Sequence, residues 1–123
     1  MTVTLYGIRN CGTMKKAFAW LDRHGIAYAF HDYKKLGVAK AQLTRWCRAA
    51  GWKTVLNRAG PTFRKLPDAD RRNLAQTKAI ALMLSNPSMI KRPILEIEGR
   101  APGAALEVGF KPERYAALFA VKN

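Results

Sequence analysis

Cysteine is scarce in this chain: Cys11 and Cys47 are the two thiols in 123 residues. Two thiols in a chain of this size exclude a disulfide scaffold and point to a reducing compartment. No apolar run approaches the roughly 18 residues of a membrane span. The opening MTVTLYGIRNCG has neither a basic leader nor a long apolar stretch before a cleavage site. A soluble cytoplasmic protein is the expectation by elimination. Metal-ligand spacing is absent, as is a glycine loop that could cradle phosphate. There is no internal repeat and no low-complexity segment. With 49% hydrophobic residues, the chain can build one compact domain with its own core and is too short for two.

Acidic residues are also few. Eight Asp and Glu face 22 Lys and Arg, for a formal net charge of +14. Such a balance favours contact with something anionic: nucleic acid, an acidic protein surface or a small anionic substrate. The cations run along the sequence as pairs, such as Lys15-Lys16, Lys34-Lys35, Arg71-Arg72 and Lys91-Arg92. There is no basic tail, zinc-ligand set or aromatic RNA-binding motif. A basic solvated surface is therefore expected rather than a dedicated nucleic-acid face.

What is present reads as an alternation of strands and helices. Val3 to Tyr6 predicts a strand. Met14, Ala17, Phe18 and Leu21 recur at helical spacing, and His24-Gly25 is a stop. Ile26, Tyr28 and Phe30 alternate as a second strand, which completes a βαβ unit with parallel strands. A helix is expected over Ala39 to Ala50, with Leu43, Trp46 and Cys47 on its apolar face, followed by a helical turn after Gly51. Gly60-Pro61 and Pro67-Asp68 read as loops. Asn73 to Leu84 predicts a helix whose AIALML stretch is apolar all round and so buried. Ile94 to Ile97 predicts a third strand, Gly99-Arg100 a hairpin turn, and Leu106 to Val108 a returning strand. Pro112 opens a last helix. The sum is βαβ, a helical insert over about residues 37–88, then ββα. That order suits a four-stranded mixed sheet in a thioredoxin-like α/β fold, one domain over residues 1–123.

Cys11 stands where the first strand hands over to the first helix, within Asn10-Cys11-Gly12-Thr13-Met14-Lys15. Unpaired N–H groups and the positive end of the helix dipole favour an anion there. Arg9, Lys15 and Lys16 add positive charge nearby. Each effect stabilises thiolate over thiol, and the thiolate is the nucleophile. Position 14 is Met, so there is no Cys-x-x-Cys pair. Position 17 is Ala, so the Cys-x5-Arg loop of cysteine phosphatases is missing as well. A lone thiol that enters a mixed disulfide needs an outside thiol to release it, and glutathione is the abundant candidate. Cys47 reads as core packing. Arg92 offers a guanidinium fork to a carboxylate or oxyanion, immediately before Pro93 at a strand start. His31 reads as a surface or hydrogen-bonded residue and His24 as a helix-end residue.

Five stretches resemble one family. They are LYGIRNCGTMKKA, FHDYKKLG, GWKTVLNRAGPTFRKL, ALMLSNPSMIKRPIL and VGFKPERY, in that order along nearly the whole chain. Together they are similar to the arsenate reductase-like (ArsC/Spx) family, and within it to the YffB-like subgroup of small bacterial proteins. The resemblance implies a thioredoxin-like core with a helical insert, a catalytic Cys11 and a cis Pro93 preceded by Arg92. In arsenate reductases of this type a cysteine attacks arsenate, three arginines steady the oxyanion, and glutathione with glutaredoxin completes the reduction. Arg92 matches one of those arginines. The first falls at Asn57, with Arg58 beside it; for the third, the Gly99 to Gly109 stretch has only Arg100 to offer. YffB-like proteins are regarded as glutathione-dependent thiol reductases, whereas the Spx branch binds RNA polymerase. The resemblance thus implies a monomeric oxidoreductase with glutathione as co-substrate and no metal. Asn10, Gly12, Thr13, Lys15, Arg58, Arg92 and Pro93 would surround Cys11 as binding residues. Arsenate reduction and transcription regulation are the alternatives.

Overall fold

The computed structural model describes residues 1–99 and 105–122. In chain order, β1 (Thr2–Gly7), α1 (Gly12–Arg23) and β2 (Ala29–Asp32) come first. The helices α2 (Tyr33–Leu36), α3 (Lys40–Ala50), α4 (Trp52–Val55), α5 (Pro61–Arg64), α6 (Asp68–Arg71) and α7 (Gln76–Ser85) follow. A 3-10 turn (Pro87–Met89), β3 (Ile94–Glu98), β4 (Ala105–Val108) and α8 (Pro112–Phe119) complete the described elements. The chain divides into two compact units: Met1–Tyr33 with Arg92–Asn123, and Lys34–Lys91.

The first unit holds the expected thioredoxin-like mixed sheet, in the order β2-β1-β3-β4. β1 and β2 run parallel, with Gly7 beside Asp32. β3 runs antiparallel to β1, with Ile94 beside Tyr6, and β4 antiparallel to β3. One sheet face contributes Val3, Leu5, Leu95 and Ile97 to a core closed by Met14, Ala17, Trp20 and Leu21 of α1 and by Tyr115 and Ala116 of α8. Each large apolar side chain fully buried there contributes about 1.5–3 kcal/mol over its exposed state. Edge-to-face packing of Trp20 on Tyr115, centroids 5.5 Å apart, fixes the two helices on that face.

The second strand starts later than the alternation of Ile26, Tyr28 and Phe30 predicts. Gly25 takes a left-handed φ of +66°. The Gly25 N–H then donates to the Asp22 carbonyl and the Ile26 N–H to the Leu21 carbonyl, which closes α1 in a Schellman turn. Ile26 is thereby committed to the helix end, and pairing with β1 begins at Ala29.

In the second unit, α3 buries Leu43, Trp46 and Cys47 and packs against α4 and α7. Residues on either side of Leu56 pair with the stretch around Ile90: the Asn57 N–H donates to the Met89 carbonyl at 2.7 Å and the Lys91 N–H to the Val55 carbonyl at 2.8 Å. The loops expected at Gly60-Pro61 and Pro67-Asp68 each contain one helical turn, because a proline suits the N-terminal end of a helix as well as it suits a loop. α7 begins three residues later than predicted, since Asn73 adopts a left-handed φ of +54°. It is also not buried all round. Ala79, Ile80 and Met83 are inside, whereas Ala81 is exposed and Leu82 and Leu84 are partly so. An apolar composition does not by itself supply packing partners for every face. The hairpin turn expected at Gly99-Arg100 reaches beyond the described residues. Among those described, no helix is long and apolar enough to cross a membrane.

Candidate active site around Cys11

The topology brings three chain segments to one end of the sheet. β1 and β2 are parallel, so the residues that follow them leave from the same edge. β3 is antiparallel, so the residues that precede it arrive there. Cys11 follows β1, Tyr33 follows β2, and Arg92-Pro93 precedes β3. Ligand sites of α/β sheets favour this carboxyl edge. The Arg92–Pro93 peptide is cis and Pro93 is buried.

Cys11 is the N-cap of α1, with extended backbone angles (φ −144°, ψ 133°). Its carbonyl accepts the Lys15 N–H at 3.0 Å and so starts the helix. Partial burial of the thiol pushes its pKa up, but other groups outweigh this and hold it below the ordinary thiol range. They are the backbone N–H of Met14, the Arg92 side chain as hydrogen-bond donor, the Thr13 N–H and the Arg92 charge. A sulfur at this position makes no conventional side-chain cap. What it offers instead is a half-exposed sulfur whose thiolate form these neighbours favour.

Arg92 bridges two residues. Its guanidinium donates to the Cys11 sulfur and to the Tyr33 hydroxyl, and both raise its pKa against the lowering effect of burial. Tyr33 is completely buried. Burial pushes its phenol up to about 12 in spite of Arg92, and the nearby Cys11 and Asp32 charges add to the rise. The phenol thus stays neutral and can accept from Arg92. Tyr33 escaped the sequence reading, which singled out His31 in the same run. The available signal was position: Tyr33 comes directly after the second parallel strand.

Met14 stands three residues after Cys11, where a Cys-x-x-Cys motif would have its second thiol. It is completely buried, and its Sδ would lie 2.4 Å from a Cβ placed on Gly7. The position is core, and Gly7 leaves the space that the thioether fills.

The other expected residues fall in different places. Asn10, Gly12, Thr13 and Lys15 are exposed along the loop and first turn. Thr13 reaches Cys11 through its backbone. The charge that lowers the Cys11 pKa is that of Arg92, not of the cations adjacent in sequence. Arg9 instead lies over the Phe30 ring, 4.9 Å from its centroid. In the second unit, the Asn57 Oδ1 accepts the Ala59 N–H at 3.2 Å and holds a turn. Arg58 is exposed, with its guanidinium 5.8 Å from the Trp52 ring centroid. Arg100 lies outside the described residues. Cys47 is buried, and burial pushes its thiol pKa up. His31 packs its ring on Tyr6 at 5.0 Å, and His24 caps α1, its Nδ1 2.8 Å from the Trp20 carbonyl oxygen. Among the described residues no group of three or more His, Cys, Asp and Glu comes together to hold a metal.

The pattern that defines the ArsC family matches residues 6–118, a span that runs from β1 through α8. The chain belongs to the ArsC family. Within solved structures, the chain is similar to a YffB protein, with 59% identity and a TM-score of 0.87 over 94% of this chain and 97% of the other. It is also similar to an arsenate reductase (ArsC) related protein from Brucella melitensis, at 52% identity and a TM-score of 0.71, covering 98% and 97% of the two chains. Among curated relatives, the global transcriptional regulator Spx of Streptococcus mutans is 27% identical over 94% of this chain and 82% of its own length. This ArsC-family chain therefore has kin with names from both the enzymatic and the regulatory sides of the family.

Proposed function

We propose that this ArsC-family protein is a glutathione-dependent thiol–disulfide oxidoreductase with Cys11 as its single nucleophile. The observation that carries the reading is the placement of the Cys11 sulfur against the Met14 and Thr13 N–H groups and the Arg92 guanidinium, with Met rather than Cys three residues on. In the reaction, the Cys11 thiolate attacks a glutathionyl disulfide at the glutathione sulfur. A Cys11–glutathione disulfide forms and the other half leaves as thiolate. A second glutathione thiolate then attacks the glutathione sulfur of that disulfide, restores the Cys11 thiolate and yields oxidised glutathione. Arg92 has five N–H donors, so it can hold the thiolate and meet a glutathione carboxylate or a substrate oxyanion as well. The net positive charge favours such anionic reactants. In this reading the protein is a cytoplasmic monomer that needs no metal, and glutaredoxin is a downstream partner.

The direct experiment combines mass spectrometry after exposure to oxidised glutathione with coupled turnover on a glutathionyl disulfide. The expected result is one glutathionyl adduct on Cys11 and turnover that disappears in Cys11→Ser. No adduct, or equal turnover in Cys11→Ser, defeats the proposal. The names of the arsenate reductase-related neighbours support a second reading, in which the same thiolate attacks arsenate. Arsenate-dependent NADPH consumption, coupled through glutathione and glutaredoxin, would identify it. The likeness to Spx supports a third, a regulator that docks on RNA polymerase, for which capture of polymerase by Cys11→Ser is the discriminating result.

A further inference from the structure

The positive charge is divided unequally between the two compact units. Residues Lys34–Lys91 hold 13 of the 22 Lys and Arg but two of the eight Asp and Glu, which leaves a net +11. The other unit keeps nine cations and six acids, a net +3. The excess lies in one contiguous stretch of the chain, which folds as a small helical body. Its two acids, Asp68 and Asp70, sit together in α6, where Asp68 pairs with Arg71. α3 presents Lys40, Arg45 and Arg48 as exposed residues, and the adjoining α4 presents Lys53. Beside them the half-exposed Trp52 ring has the Lys53 Nζ 5.7 Å and the Arg58 guanidinium 5.8 Å from its centroid.

We propose that the helical unit Lys34–Lys91 docks nucleic acid through its phosphate backbone, a binding role separate from the thiol chemistry of Cys11. Charge complementarity requires a polyanion. Lysine supplies seven of the 13 cations. Lysine is depleted at protein–protein interfaces, whereas Lys and Arg together form the phosphate contacts of nucleic-acid interfaces. A partly exposed tryptophan among cations also offers a face on which a base can stack.

The test is fluorescence anisotropy of a labelled 20-nucleotide single strand and of its duplex with the full-length protein, from 50 to 200 mM KCl. With about six phosphate contacts, affinity on the duplex falls about 10³-fold over that range. Replacing Arg45, Arg48 and Lys53 together by Gln keeps helix propensity and flattens the log–log salt slope by about three on the duplex and about two on the single strand. Replacing Arg23, Lys111 and Lys122 by Gln removes the same charge from the other unit and leaves the slope unchanged. Circular dichroism confirms that both variants are folded. The proposal is overturned by an absence of binding at 50 mM KCl, by an equal loss in the two variants, or by poly-L-glutamate competing as well as unlabelled nucleic acid.

Discussion

Replacing Arg92 by Gln removes one group that holds the Cys11 thiolate while keeping a polar side chain. Hydrogen bonds to charged groups contribute about 1.5–3 kcal/mol. Cys11 is half-exposed, and solvent screening puts its share near the lower end, about tenfold in the thiol–thiolate equilibrium. A second effect opposes the first. A more basic thiolate is a better nucleophile, with a Brønsted coefficient of about 0.4–0.5, so a tenfold gain in basicity returns about threefold in reactivity. The two rate profiles therefore cross. At acid pH the variant reacts about three- to fourfold more slowly than the parent with a small disulfide such as 4,4′-dithiodipyridine; at alkaline pH it reacts about threefold faster. Stopped-flow absorbance across pH measures both limbs, with circular dichroism to confirm folding. Arg92→Lys keeps the charge, loses the planar fork and should fall between the two. A profile for Arg92→Gln with the parent's midpoint and no crossing would refute the assignment.

Two further perturbations probe the surroundings of the thiol. Tyr33→Phe removes the hydroxyl that steadies Arg92, so the Cys11 rate profile should move the same way as in Arg92→Gln but by less, as expected for losing a bond between a neutral group and Arg92 one step removed. The same variant has a stability signature. The Tyr33 phenol titrates at about 12 in the fold, above the ordinary value near 10. Between those limits the unfolded chain releases a proton that the folded chain keeps, so stability falls as pH rises, by about 1.4 kcal/mol per pH unit. Buried Tyr115, also raised by burial and by Glu107, adds to the fall. Urea unfolding at increasing alkaline pH should show a flatter decline in Tyr33→Phe, and an identical slope would overturn this account. Gly7→Ala places a methyl group 2.4 Å from the Met14 Sδ in a site where Met14 is completely buried. It should cost about 1–3 kcal/mol by urea unfolding, and an unchanged midpoint would show that the thioether moves freely.

The order of strands and helices was legible because it rests on local patterns: period-2 alternation in β1, an apolar run in β3, helical spacing in α1 and α3, and Pro112 at the start of α8. The misreadings came where a local pattern had two physical meanings. Ile26 fits a strand by alternation, yet serves the Schellman turn of α1. AIALML fits a buried helix by composition, yet part of α7 has solvent beside it. The Cys11 position was legible for the same local reason, since a strand-to-helix junction exposes N–H groups whatever surrounds it. The missing second thiol was legible outright.

The sequence by itself determined that a lone cysteine caps the first helix, that its neighbour three residues on is not a thiol, and that the chain is strongly basic. Those properties depend on residues adjacent along the chain. Tertiary structure alone decided which cation meets the thiol. Arg9 and Lys15 are nearest in sequence, but Arg9 lies over Phe30, and Arg92 arrives at Cys11 because β3 enters antiparallel beside β1. It also decided that Tyr33, delivered by the parallel β2, accepts a hydrogen bond from Arg92. The charge excess follows the chain, since Lys34–Lys91 is one contiguous segment, but the limits of that unit are set by which residues pack together. Strand pairing, not sequence distance, fixes which charged groups meet at one site.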